Sequence, residues 1–150
     1  SKIVATDISY KAINVAIKNA EKLGCINQIQ FEKCNLIKNF NKFDIIISNP
    51  PYLSEKEYEK TSPEIKLYEP KSALIASESG YEFYYKIAKI LPNIMHKKSR
   101  AFMEIGSNQA DKAIKICKLN NINCLETAKD IQNLDRTLIL NKPWYILYII

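Results

Sequence analysis

Phe43-Asp44-Ile45-Ile46-Ile47-Ser48, followed at once by Asn49-Pro50-Pro51-Tyr52, is the stretch on which the reading of this chain turns. The run Ile45, Ile46, Ile47 is β-branched and apolar on both faces, as a buried parallel strand over residues 43–48 requires. Pro50 and Pro51 then fix two φ angles, and Asn49, standing before a proline, is pushed to extended geometry, so the chain leaves the strand through a stiff elbow. That elbow suits a flat nitrogen substrate. The Asn49 carboxamide oxygen and the Pro50 carbonyl can each accept one N–H, and Tyr52 can lie flat against an amide or a base. Acceptors on both hydrogens draw the nitrogen toward tetrahedral geometry and aim its lone pair at an incoming methyl group, with no metal and no covalent nucleophile. A rigid turn after a strand uses the same Asn-Pro and Pro-Pro steps. The functional reading is preferred because Asp7 ends an earlier strand in the same way.

Working outward, residues 3–6 form a short apolar strand that ends at Asp7, and Ser9 caps a helix whose Ala12, Ile13, Ala16, Ile17, Ala20 and Leu23 recur at helical spacing until Gly24. A second strand covers 28–33. Residues 53–79 are polar and contain Pro63 and Pro70, so they read as a loop carrying a short helix. Helical spacing resumes over 80–97, where Pro92 is expected to kink or restart the helix. Strand 101–105, helix 108–119, an Asn120-Asn121 turn, strand 122–127 and strand 137–140 complete an α/β layer pattern. In open parallel sheets ligands sit beyond the carboxyl ends of strands, where Asp7, Asn35, Asn49 and Glu104 fall.

Composition bounds the class. The chain has 150 residues, 47% hydrophobic and 25% charged, enough for one domain with a core. Its net charge of +6 would suggest nucleic acid, but the only arginines are Arg100 and Arg136 and the lysines are dispersed, which favours a solvated surface over a phosphate-reading one. Cys25, Cys34, Cys117 and Cys124 contain no C-x-x-C pair and His96 is the only histidine, so reduced, mostly buried thiols are expected and neither a metal cage nor a disulfide framework. No apolar run has the length of a membrane span and no leader pattern opens the chain, which predicts a cytoplasmic protein.

With these residues in place, the chain resembles the protein-(glutamine-N5) methyltransferases that modify peptide chain release factors, the HemK or PrmC family. The Asn49 to Tyr52 tetrad alone is shared with nucleic-acid amino-group methyltransferases. Three more stretches narrow the likeness: Glu69-Pro70-Lys71-Ser72-Ala73-Leu74 with Gly80 after it; Glu104-Ile105-Gly106-Ser107-Asn108-Gln109; and Lys129-Asp130 with Asp135-Arg136. The resemblance implies a Rossmann-like class I methyltransferase sheet with strand order third, second, first, fourth, fifth, seventh, sixth, the last strand antiparallel and assigned to 137–140. It implies S-adenosylmethionine as cofactor, with Asp7 on the ribose hydroxyls, Asn35 and the Leu36 backbone bordering adenine, and Asn49 touching both cofactor and substrate. Asn49 and Pro50 would hold the glutamine amide of a release factor, at a Gly-Gly-Gln site, with Pro51 and Tyr52 flanking it.

The chain also departs from the family. Asn35 stands where the family usually has Asp, keeping an acceptor while losing charge. Lys97-Lys98-Ser99 replaces a common glycine-containing turn. The family's first strand and its glycine-rich turn are expected before Ser1, so residues 1–142 read as part of a catalytic domain whose sheet is incomplete and whose isolated cofactor binding is weak. Residues 143–150, apolar from Trp144 onward, read as an extension. Two rival functions are methylation of an adenine or guanine amino group and an inactive binding remnant.

Overall fold

The computed structural model describes residues 2–37 and 41–143. Two compact units divide the chain, Ser1–Phe40 and Asn41–Ile150.

In the first unit β1 (Ile3–Asp7), α1 (Tyr10–Lys22), a 3-10 turn (Ile26–Gln28) and β2 (Ile29–Lys33) follow one another. The Ser9 hydroxyl accepts the Ala12 N–H at 3.4 Å and starts α1, while Gly24 at φ +69° provides the left-handed residue that ends it. Ile13 and Ala20 form the buried stripe of α1. Strands β1 and β2 pair in parallel, Ile3 opposite Ile29 and Asp7 opposite Lys33, so both carboxyl ends finish together.

The second unit carries β3 (Phe43–Ser48), four short helical turns α2 (Glu55–Tyr58), α3 (Pro63–Tyr68), α4 (Lys71–Leu74) and α5 (Ser77–Gly80), then α6 (Glu82–Ile94), β4 (Met95–Glu104), α7 (Ala110–Leu119), β5 (Asn123–Lys129) and β6 (Asp135–Asn141). Its sheet runs β3-β4-β6-β5; β3 and β4 are parallel, and β6 is antiparallel to both neighbours. With its first strand left out, the order expected from the resemblance reads as β2-β1 and β3-β4-β6-β5, the two runs observed. Ala101 and Met103 of β4 face the same way as Leu140 and Leu138, their register partners on β6, and all four are buried with α6 and α7. Cys117 belongs to this core, and burial, with Cys124 nearby, pushes its thiol up to about 12; Cys25, Cys34 and Cys124 are only half-buried, against the expectation of mostly buried thiols.

Four local expectations change. The isoleucine run is not buried on both faces: Ile45 is 63% and Ile47 80% exposed, while Ile46, beside buried Ala101, is half-buried. The loop over 53–79 is mostly helical turns, started by a Ser54–Glu57 capping box and by Pro63 at the first position of α3. Helix α6 runs through Pro92, which sits in its last turn, where only one backbone hydrogen bond is lost. Finally, β4 begins at Met95 rather than at Ala101. Between the pairs Phe43–Met95 and Ile45–Arg100 the longer strand bulges, and Lys97 and Lys98 lie in that bulge.

Ser99 closes the bulge. Its fully buried hydroxyl donates to the Phe43 carbonyl at 2.5 Å and accepts the His96 N–H at 2.9 Å, so one side chain ties both strands together at the bulge. Replacing Ser99 with alanine leaves both backbone groups short of a partner. Urea unfolding of the full-length protein should show a loss of roughly 1–3 kcal/mol with an unchanged m-value.

Residues 144–150, most of the expected apolar extension, lie outside the described residues.

Candidate active site

In the first unit the ends of β1 and β2 are tied together. The Cys34 N–H donates to the Asp7 carbonyl at 3.0 Å, and the Thr6 hydroxyl donates to the Leu36 carbonyl at 2.6 Å, with Leu36 itself at φ +65°. Asp7 is exposed. One of its carboxylate oxygens accepts the Ser9 N–H at 2.7 Å, which pins the side chain, and the other has no partner among the described residues. A fixed carboxylate with an open oxygen suits the paired hydroxyl donors of a ribose. Asn35 is exposed beside it and Leu36 is half-buried, so the three residues named from the sequence do share one strand rim.

The second unit holds the elbow. β3 ends at Ser48 opposite Met103, Asn49 is exposed, and Pro50 is buried. Among the described residues neither the Asn49 carboxamide nor the Pro50 carbonyl has a hydrogen-bond partner, so both acceptors remain available. Everything just after them is tied down. Gln109 donates from Nε2 to the Tyr52 carbonyl at 3.0 Å, while its Oε1 accepts from the Tyr84 hydroxyl at 2.7 Å and from the Gly106 N–H at 3.0 Å. Leu53 donates to the Leu74 carbonyl at 3.0 Å and accepts from Ala76 N–H at 2.9 Å.

Gly80 allows the closest approach. It lies at φ +92°, and a Cβ built on it would overlap the Tyr52 carbonyl oxygen and stand 2.8 Å from Gln109 Nε2. Gln109 is buried, and Tyr84 is completely buried, its phenol pushed well above the ordinary value mainly by that burial.

The Tyr52 ring has a separate anchor. Its hydroxyl donates to Glu104 Oε1 at 3.2 Å. Burial raises the Tyr52 phenol and the Glu104 carboxylate adds to this, while Arg136 acts the other way. Arg136 in turn donates from Nε and a terminal nitrogen to Asp130 Oδ2 at 3.2 and 3.1 Å. A cavity of about 240 Å³ opens beside Tyr52, and Glu57, Ser107, Asn108 and Arg136 help to line it.

The elbow therefore gathers the stretches that the sequence singled out. Leu74 braces Leu53, Gly80 lies against Tyr52, Glu104 and Gln109 hold its two ends, and Asp130 with Arg136 stands behind Glu104. The roles of Gln109 and Tyr84 were not foreseen. The available signal was the place of Gln109 in the Glu104 to Gln109 stretch, just ahead of α7, where its side chain makes no cap bond and is left for Tyr52, Tyr84 and Gly106.

The chain is similar to known proteins. Over 145 residues, 95% of the chain, the sequence is 39% identical to a release factor glutamine methyltransferase of Fusobacterium nucleatum subsp. nucleatum, of which it covers 41%. A release factor glutamine methyltransferase of Staphylococcus aureus is 41% identical over 148 residues, 95% of this chain and 51% of that protein. The chain thus spans about half the length of the curated relatives it matches. A methyltransferase structure from Pyrococcus furiosus superposes with a TM-score of 0.69 over 94% of this chain and 62% of that one, at 16% identity, and it shares the class I methyltransferase fold. Residues 1–79, which hold β1, β2, β3 and the elbow, match a family model over more than half of the chain, and on that match the chain belongs to the RMKL-like methyltransferase domain family.

Proposed function

We infer that the protein carrying this chain transfers a methyl group from S-adenosylmethionine to the side-chain amide nitrogen of a glutamine in a peptide chain release factor, with residues 1–142 forming part of its catalytic domain. The observation that carries this reading is the pair of acceptors at Asn49 and Pro50, which no described residue occupies, on an elbow clamped by Gln109. The names of the curated relatives support the choice of substrate.

In this reading Asp7 accepts the ribose hydroxyls, and Asn35 with the Leu36 backbone borders the adenine. When bound, the cofactor supplies an electrophilic methyl group on a sulfonium sulfur. The chain's own residues do the positioning. Asn49 and Pro50 take the two N–H hydrogens of the substrate amide, which turns the nitrogen lone pair outward, while Pro51 and Tyr52 pack on its flat faces. Because the clamp sets these groups before substrate arrives, little reorganisation is needed at the moment of transfer.

The test offers the full-length protein labelled methyl donor with either a release factor or total nucleic acid. Label is expected on the release factor and is expected to vanish when the glutamine of its Gly-Gly-Gln site becomes alanine. Label on nucleic acid alone assigns the elbow to a base amino group instead, and no label on either supports an inactive remnant.

A further inference from the structure

The methyl-transfer reading uses the acceptors of the elbow but leaves the Asp130 and Arg136 stretch without a task. The geometry points to Glu104 as a positioning residue that fixes where the Tyr52 ring lies, with Arg136, itself held by Asp130, bracing the strand end beside Glu104; this rests on the proposed function of the same site.

Tyr52 is fixed at two ends by different means. Its carbonyl is held by Gln109 at 3.0 Å, which locks the backbone but leaves the side chain free to turn about both of its torsions. A ring that serves as a stacking face needs a second point of attachment, and the hydroxyl bond to Glu104 Oε1 at 3.2 Å supplies it. Glu104 is suited to this by its place in the sheet. It alternates with buried Met103 and so points away from the α6 and α7 face, it stands one residue beyond the Ser48–Met103 pair that precedes the elbow, and it lies opposite Thr137 on β6.

Behind it stands a chain of fixed charges. The Asp130 carboxylate accepts the Gln132 and Leu134 N–H groups at 2.9 and 3.1 Å, which makes it part of the turn between β5 and β6. Asp130 then grips Arg136 through two nitrogens on one oxygen, and Arg136 also reaches the Ile105 carbonyl at 3.4 Å. The guanidinium is thereby held against the residue that follows Glu104, and it lines the same cavity as Tyr52.

The test compares Tyr52→Phe, Glu104→Ala, Glu104→Gln and the Tyr52→Phe/Glu104→Ala double variant in the full-length protein, with a release factor as methyl acceptor. Tyr52→Phe and Glu104→Ala are each expected to lower kcat/KM for the release factor about tenfold without altering the dissociation constant for S-adenosylmethionine. The double variant should be no worse than either single one, since both remove the same bond. Glu104→Gln, whose amide oxygen still accepts, should recover most of the loss. A second readout does not depend on activity: in protein carrying 13C-labelled tyrosine, the Tyr52 ring signal, identified by its disappearance in Tyr52→Phe, should move in Glu104→Ala and much less in Glu104→Gln. Losses that multiply to about a hundredfold in the double variant, or a Tyr52 signal unmoved by Glu104→Ala, overturn the assignment. If the wild-type protein leaves the release factor unmethylated while the Tyr52 signal responds as described, the substrate reading fails and the Glu104 assignment stands.

Discussion

Asn49→Ala in the full-length protein is expected to lower turnover about 100-fold, with the dissociation constant for S-adenosylmethionine scarcely changed. The argument is one of timing. An acceptor that meets an N–H of the substrate matters most as the nitrogen leaves planarity and its hydrogens become more acidic, so the bond strengthens on the way to the transition state. The Asn49 carboxamide is available for this, because no described residue uses it, and the backbone after it is held by Gln109 and Leu74. Alanine keeps the strand end and the two prolines, so the elbow itself should survive. Single-turnover methylation measured beside calorimetric titration of the cofactor separates the two effects. A weakened cofactor with unaltered turnover would move Asn49 out of the catalytic step.

Gly80→Ala is expected to be the most damaging single methyl group that can be added near the site. Gly80 sits at φ +92°, where a side chain costs roughly 1–2 kcal/mol, and its new Cβ would meet the Tyr52 carbonyl oxygen, which is backbone and cannot swing away. Overpacking of this kind adds roughly 1–3 kcal/mol, for a total loss of about 3 kcal/mol. Relief comes only by displacing Tyr52 or Gln109, so the remaining folded protein should also lose methylation. Denaturant unfolding together with activity at a temperature where the variant stays folded checks both parts. Alanine tolerated with wild-type activity would mean that the elbow is not clamped as described.

Much of the fold was legible because its signals are local. Ser9 and Gly24 bracket α1 through cap chemistry that depends on only a few neighbouring residues, and β3 was placed from its isoleucines with the bounds the structure shows. The misreadings had local causes too. The Ser54–Glu57 capping box and the Ser62-Pro63 step were present in a segment read mainly as loop, and hydrophobicity alone cannot tell a strand covered on both faces from one covered on a single face, which is how Ile45 and Ile47 came to be read as buried.

What the sequence determined by itself was the chemistry of the elbow: two prolines in a row restrict their own φ angles and keep Asn49 extended whatever lies around them, so the backbone that carries the two acceptors is preset by covalent geometry. Only the tertiary structure decided what holds that elbow. The Gln109 bond to the Tyr52 carbonyl spans 57 residues and the Tyr52 bond to Glu104 spans 52. Contacts of that separation depend on the parallel register of β3 against β4 and on the turn that carries Gly80 to the Tyr52 carbonyl, and neither leaves a periodic trace in the chain.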